Sequence, residues 1–582
     1  MNIKIKKDMV ETFSKDALES LIKELLTSAK IKKKYINTLL TPSSLSYYIT
    51  AFTDPSYDSE NNYEYLHALG TVLVHKLFVW YFFRKDPDID QQILTQIKIN
   101  FLKNSDIGQF MNNKFAPFIL KDERVQLIDK IIQKVFESFV AATELIINRT
   151  YKVGIGYVVV NKLCSHIFDS MNLIIDKSNL ENNKSKLKEL YFDKNMSRYL
   201  PKYESVKEDT IFITKLFRID KWTGEREQLG EGKGKLKVEG EQEAALQALI
   251  LLEKQGQITL IEKTKDKIKQ KHPILLSSAI FKAPRDESFN TFILSLLQRV
   301  YLLSDLKLES TDMQWFNKAF NHPNANSNEN YELLETLGDN SVNNCVVWYI
   351  STRFPQLNTP EAIDILTRLK INIIKGEGLM ILAKQLGFLD YITRAKDMGI
   401  ILVQKMLEDV FEAFFAAIEI VIDNKYKKGM GYIACCKLLE TILDQQSYSI
   451  HYDELVDAKT QLKERVYDVD QKNIKVKYVC SKTIDNNDKA PKQKYECKAQ
   501  LNALNEEYTT MIEESRVIGK HPDGTDIFSP FELIREPGKS PFEGVSYSQK
   551  ESEQIVSKKV LEYYKKLGIV KPIPKEYLKF CM

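Results

Sequence analysis

At 582 residues the chain exceeds what a single hydrophobic core supports, so roughly three to five domains are expected. Hydrophobic residues at 43% and aromatics at 10% are those of ordinary folded protein. A formal net charge of only +4 excludes a uniformly basic nucleic-acid binder, and any such contact must come from local patches.

The N-terminal residues Met1 to Asp8 carry charge with no apolar stretch behind them. No apolar run reaches bilayer-spanning length, so a soluble, intracellular protein without membrane contact is expected. The seven cysteines (164, 345, 435, 436, 480, 497, 581) show no CxxC spacing. Neither a zinc site nor a disulfide framework is indicated, which fits a reducing compartment, and Cys435 and Cys436 read as core packing.

Further along, Ala51-Phe-Thr-Asp-Pro-Ser-Tyr57 precedes Asn61-Asn-Tyr-Glu-Tyr-Leu-His-Ala-Leu-Gly70. The pair matches Ala319-Phe-Asn-His-Pro-Asn324 and Glu329-Asn-Tyr-Glu-Leu-Leu-Glu-Thr-Leu-Gly338, offset by 268 residues. Lys134 to Ala142 (Lys-Val-Phe-Glu-Ser-Phe-Val-Ala-Ala) matches Asp409 to Ala417 (Asp-Val-Phe-Glu-Ala-Phe-Phe-Ala-Ala), offset by 275. The chain therefore reads as a tandem duplication. Around both copies, apolar periodicity with few glycines and poor strand alternation predicts helices.

A different texture follows each helical part. Residues 184–196 are polar and amphipathic, Lys202 to Lys207 and Thr210 to Phe217 alternate as strands, and Lys221 to Arg226 reads as a turn. Gly230 to Lys237 then leads into an Ala-rich helix from Glu241, giving the order α-β-β-β-α. The C-terminal part repeats that order: a helix near 453–466, strands near 473–481 and 493–501, and a helix from Ser552. A turn-rich insertion over 502–540 reads as a loop.

The second copy carries an acidic pattern that the first has largely lost. Glu332, Glu335 and Asp339 stand at i, i+3 and i+7, one stripe of a helix, and Asp409 and Glu412 repeat the i, i+3 step on a second helix. On an arbitrary helix such carboxylates are a solvated face. Here Leu333, Leu334 and Leu337 bury the opposite face, and Gly338, like Gly70, permits close backbone approach. Between two repelling stripes a hard divalent cation with oxygen ligands, such as Mg²⁺, is the natural occupant.

These boxes resemble the signature of the ribonuclease III nuclease domain, and the segments after them resemble double-stranded-RNA-binding domains. The resemblance implies a mainly α fold with α+β modules: two all-helical nuclease domains forming an intramolecular pseudo-dimer, each followed by an α-β-β-β-α RNA-binding-like domain. The implied boundaries are an N-terminal extension 1–24, a first nuclease-like domain 25–178, a first RNA-binding-like domain 182–258 and a linker 259–285. Then come a second nuclease-like domain 286–447, a second RNA-binding-like domain 450–570 with the insertion, and a C-terminal tail 571–582.

The resemblance also implies site residues. Glu335, Asp339, Asp409 and Glu412 stand at the family's metal-binding and catalytic positions, for Mg²⁺ or Mn²⁺, with Glu332 one helical turn before. In the first copy Glu64 and Glu137 remain, but His67, Thr71 and Lys134 replace the counterparts of Glu335, Asp339 and Asp409. Formal charge at the four core positions goes from −4 to 0, which should not hold Mg²⁺. His322, at the family's Thr-His-Pro position, is expected to bond the loop to the helix. Duplex RNA would be gripped over about 16 base pairs through its phosphates, by Lys233, Lys235 and Lys237 in the first module and by Gln549, Lys550, Lys558 and Lys559 in the second. Glu239, Glu241, Glu243 and Glu553 would repel those phosphates.

Two functions follow. The first is a Mg²⁺-dependent endoribonuclease that hydrolyses double-stranded RNA by two-metal chemistry, cutting one strand per binding event unless two chains dimerise. The alternative is a non-catalytic RNA-binding or assembly protein of a ribonucleoprotein or virus particle. The abundance of Lys, Asn and Ile suits an AT-rich genome, and the expected location is the cytoplasm, or a host cytoplasm or virion if the source is viral.

Overall fold

The computed structural model describes residues 14–171, 183–192, 198–208, 211–234, 237–258, 279–396, 398, 400–467, 474–485, 492–503, 517–520, 526–528, 543–546, 549–566, 570 and 572–580. The first helix, α1 (Lys15–Ser28), is capped by the Ser14 hydroxyl and buries Leu18, Leu21, Ile22, Leu25 and Leu26. A boundary between residues 24 and 25 therefore cuts through a core helix, and the expected extension is shorter than 1–24.

The long helices of the first region are α2 (Glu64–Lys85), α3 (Gln91–Asn104) and α4 (Asp129–Thr150), followed by α5 (Ile155–Ser170). By length and composition α2 could span a bilayer, contrary to the expectation from sequence. It is apolar on nearly every side because α4, α5 and a helix of the second region enclose it, and a helix surrounded by protein has no face to turn to water. The turn into α5 is made by Gly154 at φ +95°, with the Asn148 side chain accepting from the amides of Gly154 and Gly156.

An antiparallel sheet, β1 (Tyr199–Glu208), β2 (Ile211–Asp220) and β3 (Arg226–Gly234), follows the short helix α6 (Asn183–Leu187). Helix α7 (Lys237–Lys254) packs its Ala244, Ala245 and Ala248 across the sheet in a small core of its own.

The second helical region holds α8 (Glu332–Arg353), α9 (Ile363–Ile374), α10 (Ile400–Lys425) and α11 (Met430–Leu443). Its turn into α11 has the same construction, with Gly429 at φ +94° and the Asp423 carboxylate accepting from Gly429 and Gly431. The two regions share one apolar core. Tyr65 hydroxyl meets Ser351 Oγ at 2.7 Å and Trp80 Nε1 donates to Ser341 Oγ at 3.0 Å, so α2 and α8 run in opposite directions across the contact.

The last module has the short helix α12 (Ala458–Leu462), strands β4 (Ile474–Asp485) and β5 (Lys492–Ala503), the hairpin β6 (Val517–Lys520) with β7 (Asp526–Phe528), then β8 (Glu543–Ser546) and helix α13 (Gln549–Lys566). Three expectations change here. The insertion contains the β6–β7 hairpin and is more than a loop. Cys480 and Cys497, opposite one another in the β4–β5 ladder, form a disulfide that spacing alone did not suggest. Within the expected C-terminal tail the described residues 572–580 pack onto the protein: α14 (Lys575–Leu578) places Tyr577 and Phe580 on the helical core, with Tyr577 edge-on to Tyr452.

Close helix crossings organise both regions. A Cβ added at Gly70 would lie 2.0 Å from the Glu137 carbonyl oxygen, and one at Gly338 would lie 1.8 Å from that of Glu412. In an open helix Gly→Ala is stabilising by about 1 kcal/mol. Gly338→Ala should reverse that sign and cost about 2 kcal/mol or more, because the clash is with backbone; thermal unfolding of the variant measures it.

Candidate metal centre

The α8–α10 crossing sets one residue of each acidic box against the other. Glu335, Asp409 and Glu412 each place a carboxylate oxygen so that all three lie within 4.8 Å of one another. Asp409 and Glu412 are buried and Glu335 is partly so. Burial, then the charge of Asp409, raises the Glu335 carboxyl to about 7, with Glu332 and Asp339 adding to it. Glu412 is pushed well above the carboxylate range by burial, then by Asp339 and Glu335. Burial also raises Asp409, against the pull of Lys405 and Tyr331.

Asp339 stands outside this trio. Its carboxylate is nearly half exposed, accepts from Asn343 Nδ2 at 2.7 Å and lies 4.0 Å from Lys98 Nζ. Its field nevertheless reaches Glu412 and Glu335. Glu332 begins α8 and acts on Glu335 in the same way.

Four further residues join the site that the acidic pattern did not single out. Tyr331 donates its hydroxyl to Asp409 Oδ2 at 3.1 Å, holding that carboxylate's orientation. Lys405, one turn before Asp409, sits 2.7 Å from Asp409 Oδ1 and 3.3 Å from Glu408. Although burial opposes it, the bond to Asp409 raises Lys405 above its ordinary value. Lys98 comes from α3 in the other helical region, donates to Asn340 Oδ1 at 2.7 Å, and shares the neighbourhood of Asp339 with Lys370 of α9. The i−4 lysine on the acidic helix was readable from spacing; Lys98, 242 residues from Asn340, was not.

The corresponding place in the first region is closed by hydrogen bonds. Glu137 is buried and accepts from Thr71 Oγ1 at 2.7 Å and Gln133 Nε2 at 3.0 Å, with His67 Nε2 at 3.1 Å. Although burial opposes it, the His67 contact holds its carboxyl below the ordinary value. Glu64 is 3.5 Å from Lys134. A carboxylate already so satisfied has no demand for a cation. The three crowded carboxylates of the second region have one ammonium among them, and their oxygen-only donor set fits a hard divalent ion.

His322 Nδ1 accepts the Asn324 amide at 3.0 Å and its ring meets Tyr331 edge-on, within the loop that leads to α8. Cys435 is buried and directs its thiol at the Phe415 carbonyl. Of the expected RNA contacts, Lys233, Lys237, Gln549, Lys550, Lys558 and Lys559 lie on exposed positions, and Lys235 falls outside the described residues. Glu241 and Glu553 are not turned to solvent. Each is tied to a lysine of the preceding helix, Lys184 at 2.6 Å and Lys459 at 2.6 Å, so they join two helices of a module.

Residues 332–421 match the family model of the ribonuclease III domain. The chain is 33% identical over 211 residues to the putative ribonuclease 3 of Invertebrate iridescent virus 6, covering 34% of this chain and 72% of that protein. It is 34% identical over 151 residues to the putative ribonuclease 3 of Frog virus 3, covering 26% of this chain and 41% of the relative. For the ribonuclease 3 of Mycoplasmoides pneumoniae the identity is 34%, over 20% of this chain and 42% of the relative. The chain thus spans less than half the length of the latter two. A solved structure of Dicer from Pichia stipitis aligns with 35% of this chain and 92% of its own at 21% identity and a TM-score of 0.17, too low to bear on the fold.

The raised carboxyls make a signed prediction. A folded-state value above the unfolded one means that the native protein binds more protons between the two, so stability falls as pH rises from about 4.5 through about 7. The metal-free melting temperature should therefore drop over that window, Mg²⁺ should restore more of it at pH 8 than at pH 5, and Glu335→Gln should flatten the slope. Calorimetry with and without Mg²⁺ checks all three.

Proposed function

The chain belongs to the ribonuclease III family, and on that premise we propose that it is a divalent-metal-dependent endoribonuclease of double-stranded RNA with one cutting centre per chain. The observation that carries this reading is the contrast between the two crossings: three crowded carboxylates, two of them buried, in one, and a buried carboxylate satisfied by protein donors in the other. Glu335, Asp409 and Glu412 would hold the metal, with Asp339 and Glu332 at the rim. Bound there, Mg²⁺ or Mn²⁺ supplies an activated water and charge neutralisation at the phosphate.

The chain's own residues do the positioning. Tyr331 keeps Asp409 Oδ2 in place, and Asn343 does the same for Asp339 Oδ1. The Gly338 contact fixes how far Glu335 stands from Glu412. Lys405 is more than half exposed and long enough to leave Asp409 for a substrate phosphate.

In this reading the two helical regions are two nuclease-like domains, α1 included in the first, paired within one chain as a pseudo-dimer. The two sheet-containing modules are RNA-binding-like domains. The pairing of Glu241 with Lys184 and of Glu553 with Lys459 supports retained RNA contact, because those carboxylates are neutralised where repulsion of phosphate was expected. Two of the relatives are viral proteins, which supports action in a host cytoplasm or virion.

On end-labelled duplex RNA the protein should nick one strand in the presence of Mg²⁺. Asp409→Asn and Glu412→Gln should lower cleavage about a hundredfold or more, since even a residue behind a metal ligand is worth 10 to about 100-fold. Asp339→Asn should weaken it too, and Glu137→Gln should leave the rate unchanged. Absence of cleavage over a range of duplexes and divalent ions would instead favour the non-catalytic RNA-binding or assembly role.

A further inference from the structure

At the centre of the contact between the two helical regions lies a fully buried ion pair. Lys76 Nζ of α2 is 2.7 Å from Glu419 Oε1 of α10, and neither side chain has solvent exposure. Lys76 also donates to Tyr157 hydroxyl at 2.8 Å, while Glu419 Oε2 accepts from Ser341 Oγ at 2.9 Å. Beside it, Arg84 Nη2 is 3.0 Å from Asp423 and 3.7 Å from Glu419. Tyr157 and Tyr432 lie tilted against each other with ring centroids 4.0 Å apart, and Lys76 Nζ stands 4.7 Å from each ring. Both cations come from the first region and both carboxylates from the second.

The motif offset that matches the two copies puts Asn344 where the first has Lys76, and Thr352 where it has Arg84. Asn344 donates to Tyr432 hydroxyl at 2.7 Å, as Lys76 does to Tyr157. The second region therefore supplies two carboxylates and neither cation, whereas the first supplies Lys76 and Arg84 beside its own buried Glu144, the counterpart of Glu419. Two second regions facing each other would bury Glu419 and Asp423 from each side, four carboxylates, against asparagine and threonine. Asp423 would keep the Gly429 and Gly431 amides, but Glu419 would lose its ammonium in a dry interface, which is strongly unfavourable.

We propose that Lys76–Glu419, backed by Arg84–Asp423, selects which regions associate: the second region accepts the first region of its own chain and rejects a second copy of itself. The chain is then a monomer whose intact centre is never paired with another intact centre. This deepens the single-centre reading above and rests on it only for its functional consequence, because the pairing is read here from mass and melting, without RNA or metal. Opposite charges in a desolvated contact choose partners in the way that interfacial charges elsewhere enforce specificity.

The test uses full-length charge reversals. The wild type should sediment as one 67.5 kDa species from about 1 to 100 μM. Lys76→Glu and Glu419→Lys each bury like charges, and each should lower the melting temperature by about 10 °C or more. Lys76→Glu/Glu419→Lys in one chain should return it toward wild type as a monomer. Co-expressing the two single variants should give a 1:1 dimer of twice the chain mass, since complementary charges then meet only between chains. A concentration-dependent wild-type dimer, single variants that melt with the wild type, a double variant no better than the singles, or co-expressed variants that stay apart would each overturn the proposal.

Discussion

Everything at the candidate centre depends on two helices touching where one of them has no side chain. Helix axes usually stand 8 to about 10 Å apart because side chains intervene. At Gly338 the backbone of α8 rests against the carbonyl of Glu412, so the side chains one turn away are brought together. Glu335 reaches Glu412 and Asp409 for that reason, and the burial, then the repulsion, that raise the proton affinity of Glu335 and Glu412 follow from the same contact. The helix can carry those carboxylates because its apolar residues, Leu334 and Leu337 among them, are anchored in the core.

The first region shows that the crossing and the chemistry are separable. Gly70 makes the same approach to Glu137, yet the carboxylate there is surrounded by Thr71, Gln133 and His67, donors that replace a cation with neutral or mobile protons. A scaffold can therefore lose its ligands without losing its packing. What remains of the first region is put to use elsewhere, in Lys98 beside Asp339 and in Lys76 beneath Glu419.

The sequence was most legible where function is written in short-range spacing. Carboxylates at i, i+3 and i+7 with a glycine among leucines read directly as a helix face at a close contact, and the α8 and α10 boxes lie on such helices. The α-β-β-β-α orders were legible for the same reason, since strand alternation and an Ala-rich helix are local patterns. Lys76 was not legible, because its partner lies 343 residues away and a lone lysine in an apolar helix carries no sign of what it will meet. The Cys480–Cys497 disulfide needed the register of β4 against β5, which composition does not supply. The last residues, rich in lysine, gave little hint that Tyr577 and Phe580 would pack onto helices far upstream. The apolar length of α2 was missed, because charged and polar residues interrupt it and its enclosure by both regions is a tertiary fact.

That return of the C-terminus has a mechanical meaning. Tyr452 and Leu455 hold the entry to the last module against the helical core, Lys565 at the end of α13 reaches Asp453, and Tyr577 closes on Tyr452 from the exit side. A module moored at entry and exit is a handle, not a pendulum: it gives up the wide orbit of a single flexible leash and keeps its exposed lysines at a set bearing relative to α8 and α10.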